Sequence, residues 1–339
     1  MKATIALSTV LFLFVTATAQ AQDGLILPAA ADQQVRPPAP PPAPVIIRRK
    51  GSMVGYIESA LIDTRVRVRF DLANHNEQPD RAEFFYAKCG CFRELQGTDL
   101  AEFDDDDAPG PAPGVVTDLN FRQMHAFVEV AAGRVSFFGE VPLRWIEPQS
   151  FAAGTGSFDA TSGLSDINLG FKAAVVSKEN TVVTAQVKAF LPTGDSYQGL
   201  GTNHASIEPA VLVFQQINRV AIESQFGAWF PIEGSAGAPI TSESKCAGNV
   251  LFYGIGPSVE VWGNGIASVR PVVELVGWHL LGGFSTLNND QSGTNIVNLK
   301  IGGRVAFNNT NSIYVGWGTG LTDQKWYDSI LRFEYRASF

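Results

Sequence analysis

His204 and Ser206 stand two residues apart in the stretch HASIE, residues 204–208. Two apart on an extended chain puts them on one face. There an imidazole can take the proton of a hydroxyl and turn it into a nucleophile. No third residue presents itself to orient the imidazole, so the pair reads first as two polar side chains on a strand. The run Asp104–Asp107 offers the clustered oxygens that Ca²⁺ prefers, but it lacks the spacing of a calcium loop. It sits just before Pro109 and Gly110 and reads as a solvated acidic loop, with no metal and no cofactor expected. Asp195, followed by Gly199 and Gly201, is placed to shape a turn, because glycine reaches positive φ and aspartate bonds its own backbone. The three cysteines, Cys89, Cys91 and Cys246, are too few for a disulfide framework. One bridge between loops and a set of surface thiols are both open.

The larger chemical signal is a stripe of charge. Arg65, Arg67, Arg69 and Asp71 alternate with Val66, Val68, Phe70 and Leu72. Successive side chains of a strand point to opposite faces, so one face of this segment is ionic and the other apolar. The same division sets Arg134, Glu140 and Arg144 against Val135, Phe137, Val141 and Trp145, and Asp166, Asn168 and Lys172 against Leu169, Phe171 and Val175. Lys300 and Arg304 oppose Leu299, Ile301 and Val305. Lys188, Glu208, Glu223, Arg270 and Glu274 belong to the ionic faces of their own segments. A charge turned toward hydrocarbon near a bilayer midplane costs ~2–4 kcal/mol, so in a membrane these groups have to face inward. Such a lining would give a polar pore whose fixed charges orient a solute. The basic members outnumber the acidic ones, which implies a slight preference for anions. The competing expectation is a lumen filled by mutual salt bridges.

Twelve segments with this alternation are placed near 60–72, 119–131, 134–146, 163–176, 180–192, 204–217, 219–231, 247–261, 265–279, 295–308, 310–320 and 327–339. Sustained helical periodicity is nearly absent from residue 60 onward. The tight links AAGR, SKEN, QQINR, GNG and NNT alternate with long connections at 73–118, 147–162, 193–203, 232–246, 280–294 and 321–326. The expected fold is all-β: a single antiparallel up-and-down transmembrane β-barrel of about 12 strands, with short periplasmic turns and longer extracellular loops. A soluble β-sandwich would use strands of about 5–6 residues; these are about twice that, enough to cross a bilayer at a tilt. Closure also leaves no unpaired edge in hydrocarbon.

Residues 1–21 have the layout of a secretory signal peptide, with Lys2, an apolar run and the small-x-small site Ala19-Gln20-Ala21. Its removal would take the formal charge from -8 to -9, one cation being lost. An acidic balance argues against nucleic acid as a partner. Residues 22–58 are expected to form a periplasmic leader, in which RPPAPPPAP (36–44) favours an extended polyproline II spacer. The barrel would then occupy 59–339. At its end Leu331, Phe333, Tyr335 and Phe339 alternate with Arg332, Glu334 and Arg336. This apolar file would face outer-membrane lipid, and it resembles the C-terminal signature by which the barrel-assembly machinery recognises its clients.

GLSDINLGFKAAVV (163–176) and VKAFLPTGDSYQGLGTNHASIEPAVLVFQ (187–215) carry a family resemblance. The elements GL-x-D-x-x-LG-x-K, the LPTGD turn and the Gly-rich loop after it resemble the outer-membrane family of the meta-pathway of phenol degradation, distantly akin to fatty-acid and toluene uptake channels. The resemblance implies a barrel that moves small apolar or aromatic molecules across the cell outer membrane. The fatty-acid channels have fourteen strands and an N-terminal plug. Here twelve strands are counted, and GSMVGYIES (51–59) could form only a thin plug. The working expectation is passive uptake of a small solute, with loop 1 (about 73–118) as a lid or extracellular recognition element. The rivals are a closed structural barrel and an outer-membrane lipid hydrolase using His204 and Ser206.

Overall fold

The computed structural model describes residues 51–77, 116–151, 153–154, 156–202, 204–232, 248–264, 266–282, 292–307 and 310–339. Cys89, Cys91, Cys246, Asp104–Asp107, the polyproline stretch and most of loop 1 lie outside them.

Strand segments follow in chain order: β1 Arg65–Asn76, β2 Val116–Ala132, β3 Val135–Phe151, β4 Thr161–Leu164, β5 Asn168–Ser177, β6 Thr181–Phe190, β7 Ser206–Ile217, β8 Val220–Pro231, β9 Val250–Val259, β10 Trp262–Gly263, β11 Ala267–Leu280, β12 Asn295–Phe307, β13 Asn311–Gly320 and β14 Ser329–Ser338. β4 and β5 both pair with β3 and form one stave interrupted at 165–167. β10 is a two-residue fragment on β11. The remaining neighbours pair antiparallel in chain order, β9 pairs with β11, and β14 pairs with β1 from Arg65↔Ser338 to Asn74↔Ser329. The result is a closed barrel of twelve staves. Closure satisfies every ladder without an edge, as hydrocarbon demands.

Alternation decides which face goes where. Phe137 (66% exposed), Val175, Phe226, Ile255, Ile301 and Phe333 stand on the outside, while Arg65, Glu129, Lys172, Glu223, Glu274 and Arg304 are buried within. Trp145 and Trp317 mark the outer face toward the long-loop end, and Tyr335 and Phe339 do so at the other. This is the pair of aromatic girdles that frames an apolar band in outer-membrane barrels. Two short turns reach positive φ, at Gly133 (65°) between β2 and β3 and at Asn218 (54°) between β7 and β8. Both residue types tolerate that region.

The first stave begins later than the alternation suggests, at Arg65, because residues 52–64 are inside the barrel. Met53, Val54, Ile57, Ala60 and Leu61 are buried. The segment bends at 55–57. At one end Arg336 Nη1 bonds Ser52 O at 3.0 Å, and at the other Thr64 O accepts from Phe339 N at 2.9 Å; both contacts are made with the last residues of the closing strand. The segment is therefore a re-entrant plug inserted from the short-turn end. The expected periplasmic leader, 22–58, is corrected here: its residues 52–58 lie in the lumen.

Candidate functional site

A chain segment that is neither helix nor strand has to find partners for every buried N–H and C=O. The plug finds them on the barrel wall. Glu274 accepts from the backbone nitrogens of Gly55 (3.2 Å), Tyr56 (2.9 Å) and Ile57 (2.8 Å). Glu223 accepts from Met53 N at 3.0 Å, and Gln225 from Glu58 N at 2.9 Å. Cations hold the carbonyls: Arg304 those of Met53 (3.2 Å) and Val54 (2.9 Å), Arg332 that of Gly55, and Lys172 that of Ser59 (3.1 Å). Gly55 is glycine for a reason of space, since a Cβ there would collide with the ring of Tyr314.

Around this plug the remaining charges pair with one another. Arg65 meets Glu129 at 2.6 Å, Arg67 meets Glu140 at 2.7 Å, and Glu334 receives Arg304 (2.7 Å) and Arg336 (2.9 Å). The short-turn half of the lumen is thus occupied by peptide and ion pairs.

Toward the long loops a cavity of about 220 Å³ opens. Its layers follow from register. Phe190 pairs with Ser206 and Phe252 with Trp278, while Ala73 lies between Phe121 and Ile330. Two to four residues deeper on the same strands come Lys188↔Glu208, Glu274↔Lys300 and Asp71↔Arg332. An aromatic collar of Phe121, Phe190, Trp229, Phe252, Trp278 and Tyr327 therefore stands over a charged floor, with the Tyr56 ring of the plug tip against it. Arg332 lies 3.9 Å and Lys300 4.2 Å from the centre of that ring.

Most residues expected to line a pore are inside the barrel: Arg65, Arg67, Arg69, Glu140, Arg144, Lys172, Lys188, Glu208, Glu223, Arg270, Glu274, Lys300, Arg304, Arg332, Glu334 and Arg336 are buried or nearly so. Arg134 is the correction. It is exposed in the two-residue β2–β3 turn, where alternation no longer applies. Arg69, Arg144, Lys188, Glu140, Glu208, Lys300 and Arg332 reach the cavity.

His204 and Ser206 are both buried, yet no hydrogen bond joins them; Nε2 of one and Oγ of the other have no partner among the described residues. His204 Nδ1 lies 3.2 Å from Ala205 O, and its ring lies 5.6 Å from Trp229. Burial pulls this imidazole below its ordinary pKa, with the Ala205 carbonyl and the Asp166 charge acting the other way.

Asp166, placed by alternation with the lumen charges, does something else. Its Oδ1 accepts from Gly194 N at 3.0 Å, and its Oδ2 from Thr202 N and Oγ1, both at 2.8 Å. It ties the LPTGD loop to the rim. Gly201 is hemmed in by Asp166 and Gly194 O, where a Cβ would collide. Asp195 shapes its turn as expected, its carbonyl accepting from Leu200 N at 2.9 Å and its side chain from Gln198 Nε2 at 2.8 Å.

The plug contacts and the aromatic collar were missed by the charge pattern. For the collar a signal existed: Trp229 shares parity with Glu223, and Trp278 with Glu274, so both were readable as inward-facing.

A closed antiparallel barrel with an apolar exterior, aromatic girdles and an ionic interior is a β-barrel of the outer-membrane class. The profile of the family described as "Putative MetA-pathway of phenol degradation" matches residues 115–325, and the chain belongs to that family. Its structure is similar to that of an outer-membrane channel from Pseudomonas putida F1, with a TM-score of 0.50 and 12% identity, covering 84% of this chain and 99% of that one. It is also similar to the toluene transporter TodX of Pseudomonas putida, at TM-score 0.37 and 10% identity over 81% of this chain and 88% of that one. For the NanC porin the TM-score is 0.42 and the identity 7%, over 81% and 98%. No curated protein sequence matches.

Proposed function

We propose that this barrel is an outer-membrane channel for passive uptake of small solutes, apolar or aromatic in part. The supporting observation is the cavity in the long-loop half of the lumen, with its aromatic collar above a charged floor. A solute entering between the loops would lose water against the rings and be oriented by the charges, and the plug would set the constriction below. The native protein would be exported behind a cleaved signal peptide, residues 1–21.

Planar bilayers test this reading. Purified protein is expected to show defined single-channel steps, and deleting residues 51–59 should enlarge them. A closed structural barrel, the rival that the plug favours, predicts silence in the intact chain.

The assembly role of the last strand is part of the same proposal. Phe339 projects at the barrel's end, 82% exposed. Its removal is expected to lower severalfold the fraction of heat-modifiable, folded barrel recovered from outer membranes. Unchanged recovery would remove Phe339 from the signal.

A further inference from the structure

The cavity treats its two signs of charge differently. Five carboxylates line it, and all are engaged. Asp71 receives Arg332 in a two-pronged contact at 2.6 and 2.7 Å. Glu140 has Arg67 at 2.7 Å and His125 at 2.9 Å. Glu208 has Lys188 at 2.9 Å, and Glu58 has the same ammonium at 3.5 Å. Asp166 is spent on the rim loop. A cationic solute would meet acceptors already in use.

One cation is in the opposite condition, and a second shares carboxylates that other cations already hold. Lys300 is 1% exposed and has no carboxylate within ion-pair distance among the described residues. Its ammonium meets the Tyr327 hydroxyl and the faces of Tyr56 (4.2 Å) and Tyr327 (4.5 Å). An ammonium carries three donors, and one hydroxyl with two rings leaves it short of a counter-charge. Arg69 lies 3.4 Å from Asp71 and 3.7 Å from Glu140 but makes no hydrogen bond to a described residue. Above both stand flat apolar walls: Phe121, Trp229, Phe252 and Trp278. The cavity, about 220 Å³, is smaller than the ~300–1,000 Å³ that drug-sized ligands occupy, so a single ring is the natural fit.

We propose that this cavity binds monoanionic single-ring aromatics, carboxylates or phenolates, with the ring in the collar and the anionic oxygens on Lys300 and Arg69. The proposal rests on the solute-passage reading and names its solute class. The anion supplies the counter-charge that Lys300 lacks, and the aromatic walls disfavour small aliphatic acids, which have no ring to bury against them.

The test is equilibrium binding to the full-length protein in detergent, followed by the fluorescence of Trp229 and Trp278, with benzoate, benzyl alcohol and acetate as probes. Benzoate is expected to bind about tenfold or more tightly than either of the others, the range that a desolvated charge contact supplies. Lys300→Met should bring benzoate down to the alcohol's affinity and leave the alcohol's within about twofold. Lys300→Arg should keep most of the preference, and Arg69→Gln should lose part of it. Heat-modifiable mobility in gels confirms that each variant is folded. Equal affinity for benzoate and benzyl alcohol, equal affinity for benzoate and acetate, or a preference untouched in both Lys300→Met and Arg69→Gln would overturn the assignment. Binding is read without passage across a membrane, so a silent channel and an unselective cavity are separate results.

Discussion

Glu274→Ala is expected to free the plug and raise single-channel conductance several-fold, with slow, large fluctuations replacing quiet steps. The argument is one of unmet hydrogen bonds. One carboxylate accepts from Gly55, Tyr56 and Ile57, and also from the Tyr314 hydroxyl at 3.1 Å. Alanine leaves three buried backbone donors without partners, at ~1–3 kcal/mol each. Lumen water can recover part of that, so a net shift of roughly 3 kcal/mol is the fair expectation, about a hundredfold in the occupancy of the inserted state. The Arg304, Arg332 and Arg336 contacts to carbonyls survive the change, which makes partial release more plausible than full ejection. Glu274→Gln keeps an acceptor oxygen and should behave close to wild type. Labelling of a Tyr56→Cys variant by a thiol reagent gives an independent reading, since the buried tip would become reactive when the plug leaves. Conductance and labelling both unchanged in Glu274→Ala would mean that the segment is held by its apolar residues, Met53, Val54 and Ile57, and not by the carboxylate.

The staves were legible because their determinant is local. Alternation needs only neighbours two apart, and it places ten of the twelve to within four residues at each end; the exceptions are the first stave, which starts later, at Arg65, and the third, which runs further, to Phe151. The failures have physical causes. Arg134 kept the parity of its strand but sits past the last ladder residue, and alternation says nothing about a turn. Asp166 kept the parity too, yet a break in the stave at 165–167 let it turn to the rim loop. The plug lay beyond reach for a different reason. Its partners are separated from it by 167 to 219 residues in the bonds to Gln225, Glu223 and Glu274, and side chain to backbone bonds leave no periodic trace. What the sequence did show was an ionic lumen richer than a small solute requires. The structure explains the surplus: many of those charges serve the backbone of residues 52–59.

Ile301→Arg is expected to destabilise the barrel by ~2–4 kcal/mol, the cost of a cation at the lipid midplane. Ile301 lies at the centre of β12, half exposed, with its register partners Val273 and Trp317 also on the outer face. The next residue inward in sequence, Lys300, is a cation that the same strand carries without harm, because its side chain enters the lumen. The two positions are one residue apart and differ only in face, so the comparison isolates the solvent from the strand. Depth supplies the second axis. Val305 is similarly exposed on the same file of β12 but sits two residue pairs from the short-turn end, where Phe307 faces Asn311. There the penalty should fall to about 0–1 kcal/mol. Urea unfolding in phospholipid vesicles reads both, as a shift in midpoint at constant slope. A large cost at 301 with a small one at 305 requires an apolar slab around the middle of the cylinder. Equal and negligible costs at the two sites would mean that water bathes the outer face, and with it would go the membrane setting on which solute passage, the plug as constriction and the ionic lumen all depend.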